Sequence, residues 1–168
     1  MDRPVRIRHA KPAEFPGVLR CLSEAFEPYR AAYTTLAFLD TVLSPEALFE
    51  RSRSMTILVA LTDDDELVGT VACSAGDAAR GHIRGMAVRP AWQGLGIAKA
   101  LLDEAVEAVR LRQCTTVTLD TTLPLRRAIG FYESNMFRAT GHIADFFGMP
   151  LHEYARAIGD PSAPARST

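Results

Sequence analysis

Residues 89–102 read RPAWQGLGIAKALL, and the interpretation of the whole chain starts from this stretch. Gly94, Gly96 and Ala98 stand immediately before a strongly apolar helical segment. Small residues let a ligand approach the backbone closely, and the first N–H groups of a helix have no partner within it. Those groups and the positive end of the helix dipole favour a bound phosphate. The stretch therefore predicts a phosphate-binding loop.

Two common kinds of phosphate loop do not fit these residues. The Walker form requires GxxxxGK[ST], which the stretch does not contain. The dinucleotide form requires GxGxxG, but Lys99 stands where the third glycine belongs. What remains is Gln93-x-x-Gly96-x-Ala98, placed directly after a predicted strand that ends in Val-Arg-Pro.

Composition narrows the class of protein. A chain of 168 residues with 48% hydrophobic and 23% charged residues is typical of one soluble domain. The net charge of -1 argues against a nucleic-acid partner, since no basic excess is present. No apolar run approaches membrane-spanning length, so we expect a cytoplasmic protein with no membrane contact. Cys21, Cys73 and Cys114 lack CxxC spacing and are expected to be reduced and mostly buried, and the histidines lack metal-ligand spacing.

Hydrophobic patterning predicts a mixed α/β (α+β) domain over residues 1–158. Residues 27–53 read as helix and loop, with Ser44 a plausible N-cap before Pro45. The last residues, 159–168, are small, polar and proline-bearing, which predicts a disordered tail. The strands are predicted at 5–10, 55–61, 67–75, 81–90, 115–121, 137–146 and 152–157, and the clearest helices at 12–26, 97–110 and 125–134.

Three adjacent segments carry a resemblance to a known family. Residues 86–102, MAVRPAWQGLGIAKALL, resemble the strand, loop and helix of the GCN5-related N-acetyltransferases (GNAT), whose acetyl-CoA signature is Q/R-x-x-G-x-G/A. VTLDT at 117–121 is similar to the fifth strand of that family, and RRAIGFYESNMF at 126–137 to its following helix. The resemblance is dense over 82–138, whereas nearer the N-terminus only the element order agrees. It implies a single domain with a mixed, mostly antiparallel sheet of about six or seven strands and about four flanking helices.

The resemblance implies an acetyl-CoA-dependent N-acetyltransferase that needs no metal. The acetyl group would pass directly from the thioester to a primary amine of a small molecule or peptide. Loop N–H groups would hold the pyrophosphate, while main-chain groups of the preceding strand would pair with the pantetheine arm. The implied coenzyme-binding residues are Met86, Ala87, Val88, Gln93, Gly94, Leu95, Gly96, Ile97, Ala98 and Lys99. The chain departs from the family pattern at Leu125, often Asn, and at Met136, usually Gly.

Direct acetyl transfer requires a neutral amine, a stabilised oxyanion and a proton for the departing thiolate. Tyr132 falls on the family's general-acid position, and its phenol is protonated at neutral pH. His82 falls on the position of the glutamate base in the histone-modifying branch, with Asp120 or ordered water as the alternatives. The oxyanion partner implied by the resemblance is the backbone N–H of Met86 or Val88.

Two other classes of function stay open at this point. The same scaffold could act as a non-catalytic acyl-CoA-binding sensor, or the aromatic segment 26–38 could be a partner surface in an unrelated interaction domain. The sequence does not choose the acceptor, the acyl chain or the oligomeric state, although a homodimer would be common in the family. Arg30 could hold a carboxylate of an acceptor. Candidate acceptor-groove residues are Phe26, Tyr29, Tyr33, Phe38, Phe146 and Phe147.

Overall fold

The computed structural model describes residues 4–159, and this part of the chain forms a seven-stranded sheet with five α-helices. Most of the predicted tail, residues 160–168, lies outside the described residues. The strands are β1 Arg6–His9, β2 Thr56–Leu61, β3 Leu67–Ala75, β4 Arg80–Val88, β5 Thr116–Thr121, β6 Arg138–Phe146 and β7 Met149–Ala157. The helices are α1 Phe15–Phe26, α2 Thr35–Val42, α3 Pro45–Ser54, α4 Ile97–Arg110 and α5 Arg126–Ser134, with short 3₁₀ turns at Pro12–Glu14, Glu27–Ala32 and Pro90–Trp92.

The sheet has the strand order β1-β2-β3-β4-β5-β7-β6. Only β4 and β5 pair in parallel among the described strands, and every other neighbouring pair is antiparallel. The parallel pair needs a crossover, which α4 supplies. The predicted mixed and mostly antiparallel sheet is therefore confirmed.

The parallel strands β4 and β5 stay together over only part of their length. Their pairing runs from Arg80 opposite Thr116 to Ile83 opposite Leu119 and then stops. Just beyond that point β4 carries a bulge, because Val71 of β3 faces two residues of β4. The first of these, Gly85, has φ 64°, a conformation that glycine adopts at little cost. The rest of β4 therefore presents one backbone edge with no strand beside it.

Helices cover both faces of the sheet. The apolar stripe of α4, including Leu101 and Leu102, packs with β3, β4 and β5 on one face, where Gly81 leaves room for Val109. Helices α1 and α3 pack on the other face. Cys21, Cys73 and Cys114 are all buried and free. None of the helices in residues 4–159 is long and apolar enough to cross a membrane.

The segment before β2 contains two separate helices, and the N-cap predicted at Ser44 is confirmed. Leu43 has φ 64° and ends α2, while the hydroxyl of Ser44 accepts a hydrogen bond from the Ala47 N–H and starts α3 at Pro45. The fold consequently has five α-helices among the described residues, one more than the expected four.

Candidate active site

The loop before α4 presents a row of unused main-chain donors. The six consecutive N–H groups from Gly94 to Lys99 donate to no acceptor among the described residues. Gly94 and Gly96 have φ 76° and 82°, so the backbone is turned as only glycine adopts easily. A Cβ atom added to Gly96 would meet nothing within 4 Å, which means that the space in front of the loop is open. This geometry is that of an anion cradle at a helix N-terminus.

The polar side chains around the loop form hydrogen bonds or ion pairs within the protein. Gln93 Nε2 donates to the carbonyl oxygen of Val88 at 2.9 Å, so Gln93 braces the loop against the end of β4. The ammonium of Lys99 pairs with Asp103 at 2.5 Å, one turn further along α4. Arg127, which sequence reasoning missed, donates from Nη1 to Gln93 Oε1 at 3.4 Å. The guanidinium that borders the loop is therefore that of Arg127, and the Arg-Arg pair at the start of α5 was its only sequence signal.

A groove of about 630 Å³ runs from this loop through the opening between β4 and β5. That volume lies in the range of small-molecule sites. One wall consists of the loop, Trp92, the second half of β4 and α5, and the other of the end of α1, α2 and α3. All the residues named as coenzyme-binding from the sequence line this groove except Leu95. Leu125, at the family's asparagine position, lines it too.

Tyr132 lies on the inner face of α5 and borders the groove. Its ring is buried and packs on Phe131 and Phe137, with centroid distances of 5.4 and 5.9 Å. No described residue accepts from or donates to its hydroxyl. Burial raises the pKa of Tyr132 above its ordinary value, so the phenol keeps its proton at neutral pH. The side chain is thus both a packing residue and an unused proton donor.

His82 of β4 and Asp120 of β5 meet in the lining of the groove. His82 Nε2 lies 3.7 Å from a carboxylate oxygen of Asp120, while Nδ1 lies 2.9 Å from the hydroxyl of Thr118. That hydroxyl donates to the carbonyl of Gly81, so it accepts from Nδ1–H, and the neutral ring keeps a lone pair on Nε2. Burial lowers the pKa of His82 and raises that of Asp120. The pair can therefore hold one proton between Nε2 of His82 and the carboxylate of Asp120.

The aromatic residues predicted to form an acceptor groove are only partly brought together. Four of the six aromatic candidates line the groove, and Phe38 and Phe147 do not. The Tyr33 hydroxyl spans the groove to Thr122 at 2.6 Å. Arg30 is absent from the groove lining, because its guanidinium pairs with Glu27 at 2.9 Å and lies over the Phe38 ring.

Two further arginines, Arg51 of α3 and Arg84 of β4, line the groove together with Asp40 of α2. Arg84 donates to Asp40 at 2.8 Å. Arg51 was missed, since nothing in the sequence of α3 separates it from the neighbouring Arg53. Within residues 4–159, no group of three or more His, Cys, Asp or Glu side chains is arranged to hold a metal.

Met136, one of the two departures from the family pattern, lies in the turn after α5. Met136 has φ 71°, which is the left-handed conformation that the usual glycine would adopt. The side chain is exposed, so methionine is accommodated sterically and the cost is borne by the backbone.

Comparisons with solved structures place this fold among acetyltransferases. PaiA N-acetyltransferase from Thermoplasma acidophilum, in complex with coenzyme A, matches with a TM-score of 0.77 and 18% identity over 92% of this chain and 99% of that chain. An acetyltransferase of the GNAT family from Staphylococcus aureus Mu50 matches with a TM-score of 0.75 and 17% identity over 93% of this chain and 100% of that chain. At these identities the likeness shows the fold.

Sequence comparison adds one curated relative and one family model. A glucosamine 6-phosphate N-acetyltransferase from Trypanosoma brucei brucei is 38% identical over 64 residues, 38% of this chain and 42% of that protein, so less than half of the relative is matched. The acetyltransferase (GNAT) family model matches residues 18–136, from α1 to the turn after α5. This match contains the loop, the groove-lining strands and Tyr132, and the chain belongs to the GNAT acetyltransferase family.

Proposed function

We propose that this protein transfers an acetyl group from acetyl-CoA directly to a primary amine of a small molecule or peptide. The observation that carries the proposal is the row of six unused N–H groups at the mouth of a groove that opens between β4 and β5. A pyrophosphate needs several convergent donors, and an amide-bearing arm needs an unpaired strand edge. The residues present fit coenzyme A on both counts.

Coenzyme A, when bound, supplies the acetyl group as an activated thioester. The loop from Gly94 to Lys99 would hold its pyrophosphate through main-chain N–H groups, with the charge of Arg127 beside them. Gln93 keeps the loop in place through its bond to Val88, and the Lys99 side chain contributes little because Asp103 neutralises it. The free edge of β4 at Met86, Ala87 and Val88 would pair with the arm.

The acid and base roles fall to side chains of two different elements, Tyr132 of α5 and His82 of β4. His82 takes a proton from the acceptor amine on the lone pair of Nε2, and Asp120 stabilises the resulting imidazolium. The backbone N–H of Met86 or Val88 stabilises the charge that develops on the carbonyl oxygen. Tyr132 donates the proton that the sulfur needs on leaving, since its hydroxyl has no competing partner.

Several classes of amine fit the proposed reaction as acceptors. The Trypanosoma relative is named for an amino-sugar phosphate, and a phosphorylated amine of that kind is one candidate. The aromatic wall formed by Phe26, Tyr29, Tyr33 and Phe146 suits an acceptor with an apolar part.

The first test is calorimetric titration with acetyl-CoA of the wild type and a Gly96→Glu variant. The added carboxylate would stand in the open space before the cradle and repel a pyrophosphate, so we expect binding to fall by at least about 100-fold. Gly141→Glu is the matched control, because Gly141 also has positive φ and open space but lies on β6 outside the groove. Binding that is absent in the wild type, or equal in both variants, would contradict the coenzyme site. Release of free thiol on addition of amines then tests the transfer itself and separates an enzyme from an acyl-CoA sensor.

A further inference from the structure

Arg51 places in the groove a positive charge that forms no ion pair within residues 4–159. Its side chain is half-buried and lines the groove, and no carboxylate of the described residues lies within 4.0 Å of its guanidinium. The guanidinium also makes no hydrogen bond to any described residue. Burial, and next the charge of Arg84, lower the pKa of Arg51 to about 10, although the charge of Asp40 acts in the opposite direction. Arg51 therefore stays protonated at neutral pH.

The neighbouring charges do not remove this excess. Asp40 lines the same part of the groove, but its carboxylate is engaged by Arg84 at 2.8 Å. Arg51, Arg84 and Asp40 together therefore carry one net positive charge. A half-buried charge without a partner costs stability, so its presence in a groove points to a ligand group that completes the pair.

The position of Arg51 assigns that group to the acceptor instead of the coenzyme phosphates. Arg51 belongs to α3 and reaches β4 from the face covered by α1 and α3, whereas the anion cradle opens at α4 on the opposite face. The contact with β4 is close, because a Cβ on Gly85 would lie only 2.9 Å from Arg51 Nη1. Gly85 is the bulge residue immediately before Met86, where the coenzyme arm is expected to end.

The order of groups along β4 sets how the anion and the amine are spaced. His82 precedes Gly85 on β4 and Met86 follows it, and the Arg51 guanidinium lies beside Gly85. The proposed base, the Arg51 charge and the proposed transfer point therefore lie along the five residues 82–86 of β4. An anion bound at Arg51 is consequently close to the amine that His82 deprotonates.

We propose that the acceptor carries a carboxylate or a phosphate within a few bonds of its primary amine, and that Arg51 binds this anionic group. This inference rests on the proposed function. It selects amino acids and amino-sugar phosphates as acceptor classes, and it excludes polyamines, which would bring further positive charge to Arg51. Arg84 contributes to the local potential while Asp40 holds it in place.

Matched pairs of amines test the inference in the protein saturated with coenzyme A. We would titrate L-phenylalanine against phenethylamine and glucosamine 6-phosphate against glucosamine by calorimetry, and measure acetylation of each by thiol release. A charge-assisted hydrogen bond contributes about 1.5–3 kcal/mol, so the wild type is expected to favour the anionic member of one pair by about 10- to 100-fold. Which pair shows the preference distinguishes a carboxylate from a phosphate.

Arg51→Met should abolish that preference and leave the neutral amine unaffected, while Arg51→Lys should restore part of it. Arg53→Met is the control, since Arg53 lies on the same helix but is exposed and paired with Glu50. The melting temperature of Arg51→Met should be unchanged or higher, because an unpaired buried charge is replaced by an apolar chain of similar length.

The inference is overturned if the wild type prefers neither anionic member, or if Arg51→Met keeps the wild-type preference. A clear fall in melting temperature with unchanged preference would assign Arg51 to the fold and overturn it as well. These outcomes are separate from failure of the proposed function, which would appear as absent acetyl-CoA binding or as no thiol release with any amine.

Discussion

Replacing Tyr132 with phenylalanine separates its packing role from its proposed chemical role. The ring contacts with Phe131 and Phe137 survive the change, since only the hydroxyl is removed. That hydroxyl is bonded to no described residue, so no hydrogen bond is lost. The substitution therefore leaves the core intact and deletes one proton donor from the groove.

Tyr132→Phe is expected to leave stability unchanged or slightly raised and to lower the catalytic rate. A fully buried hydroxyl without a partner costs about 1–3 kcal/mol, and the Tyr132 hydroxyl faces the groove, so Tyr132→Phe should leave the free energy of unfolding unchanged or raise it by at most about 1 kcal/mol. For a chain of this length that is an increase in Tm of at most about 2–4 °C. General-acid catalysis contributes about 10²- to 10⁴-fold, so kcat should fall by at least about 100-fold. The Kd for acetyl-CoA should not change.

The assay compares thiol release by the wild type, Tyr132→Phe and Tyr154→Phe with the best amine of the panel. Tyr154 is a matched control, being a buried tyrosine of β7 in the same core that does not line the groove. Wild-type kcat in Tyr132→Phe would refute the general-acid role. A loss of several kcal/mol of stability with a proportionate loss of activity would instead assign Tyr132 to packing alone.

Three further predictions concern the general base His82, the left-handed backbone at Met136 and the packing of Gly81 against α4. Because burial lowers the pKa of His82, the acid limb of the kcat/KM profile should have its midpoint below 6.5, and activity should rise as the pH rises through it. The limb should disappear in His82→Gln. If it persists in that variant, another group is the base. Met136→Gly should raise the free energy of unfolding by about 0.5–1 kcal/mol in denaturant titration, since relief of a left-handed methionine outweighs the added chain entropy; a decrease would show that the exposed side chain matters. Gly81→Ala should lower the free energy of unfolding by about 1–3 kcal/mol, because the new Cβ would lie 2.8 Å from Val109. Gly130→Ala on α5 should raise it by up to about 1 kcal/mol, because the new Cβ would meet nothing within 4 Å. Equal effects of the two substitutions would contradict the packing argument.

The loop before α4 was predictable because it is encoded over a short stretch. The donors that form the cradle are consecutive main-chain groups, and Gly94 and Gly96 give the backbone its turn. Period-2 and period-3.6 patterns likewise place β4 and α4 on either side of the loop without reference to the rest of the chain. The predicted mixed sheet and the loop between these elements are accordingly confirmed.

Features that depend on long-range pairing were beyond these local patterns. The divergence of β4 from β5 results from a bulge opposite Val71, and the residue that makes it, Gly85, looks in the sequence like any glycine within a strand. The extra helix before β2 arises from the break at Leu43.

The two arginines considered for an acceptor anion show most clearly where sequence reasoning reaches its limit. Arg30 could have been set aside from the sequence, because Glu27 stands three residues earlier and the pair meets on one helical turn. Arg51 could not have been selected, since its significance is the lack of any such partner once α3 is docked over Gly85, 34 positions later in the chain. The proposed coenzyme site uses backbone donors that neighbouring residues specify, whereas the proposed acceptor site is lined by side chains from α1, α2, α3, β4 and β5. The residues that distinguish one acceptor from another are therefore those on which a local pattern carries the least information.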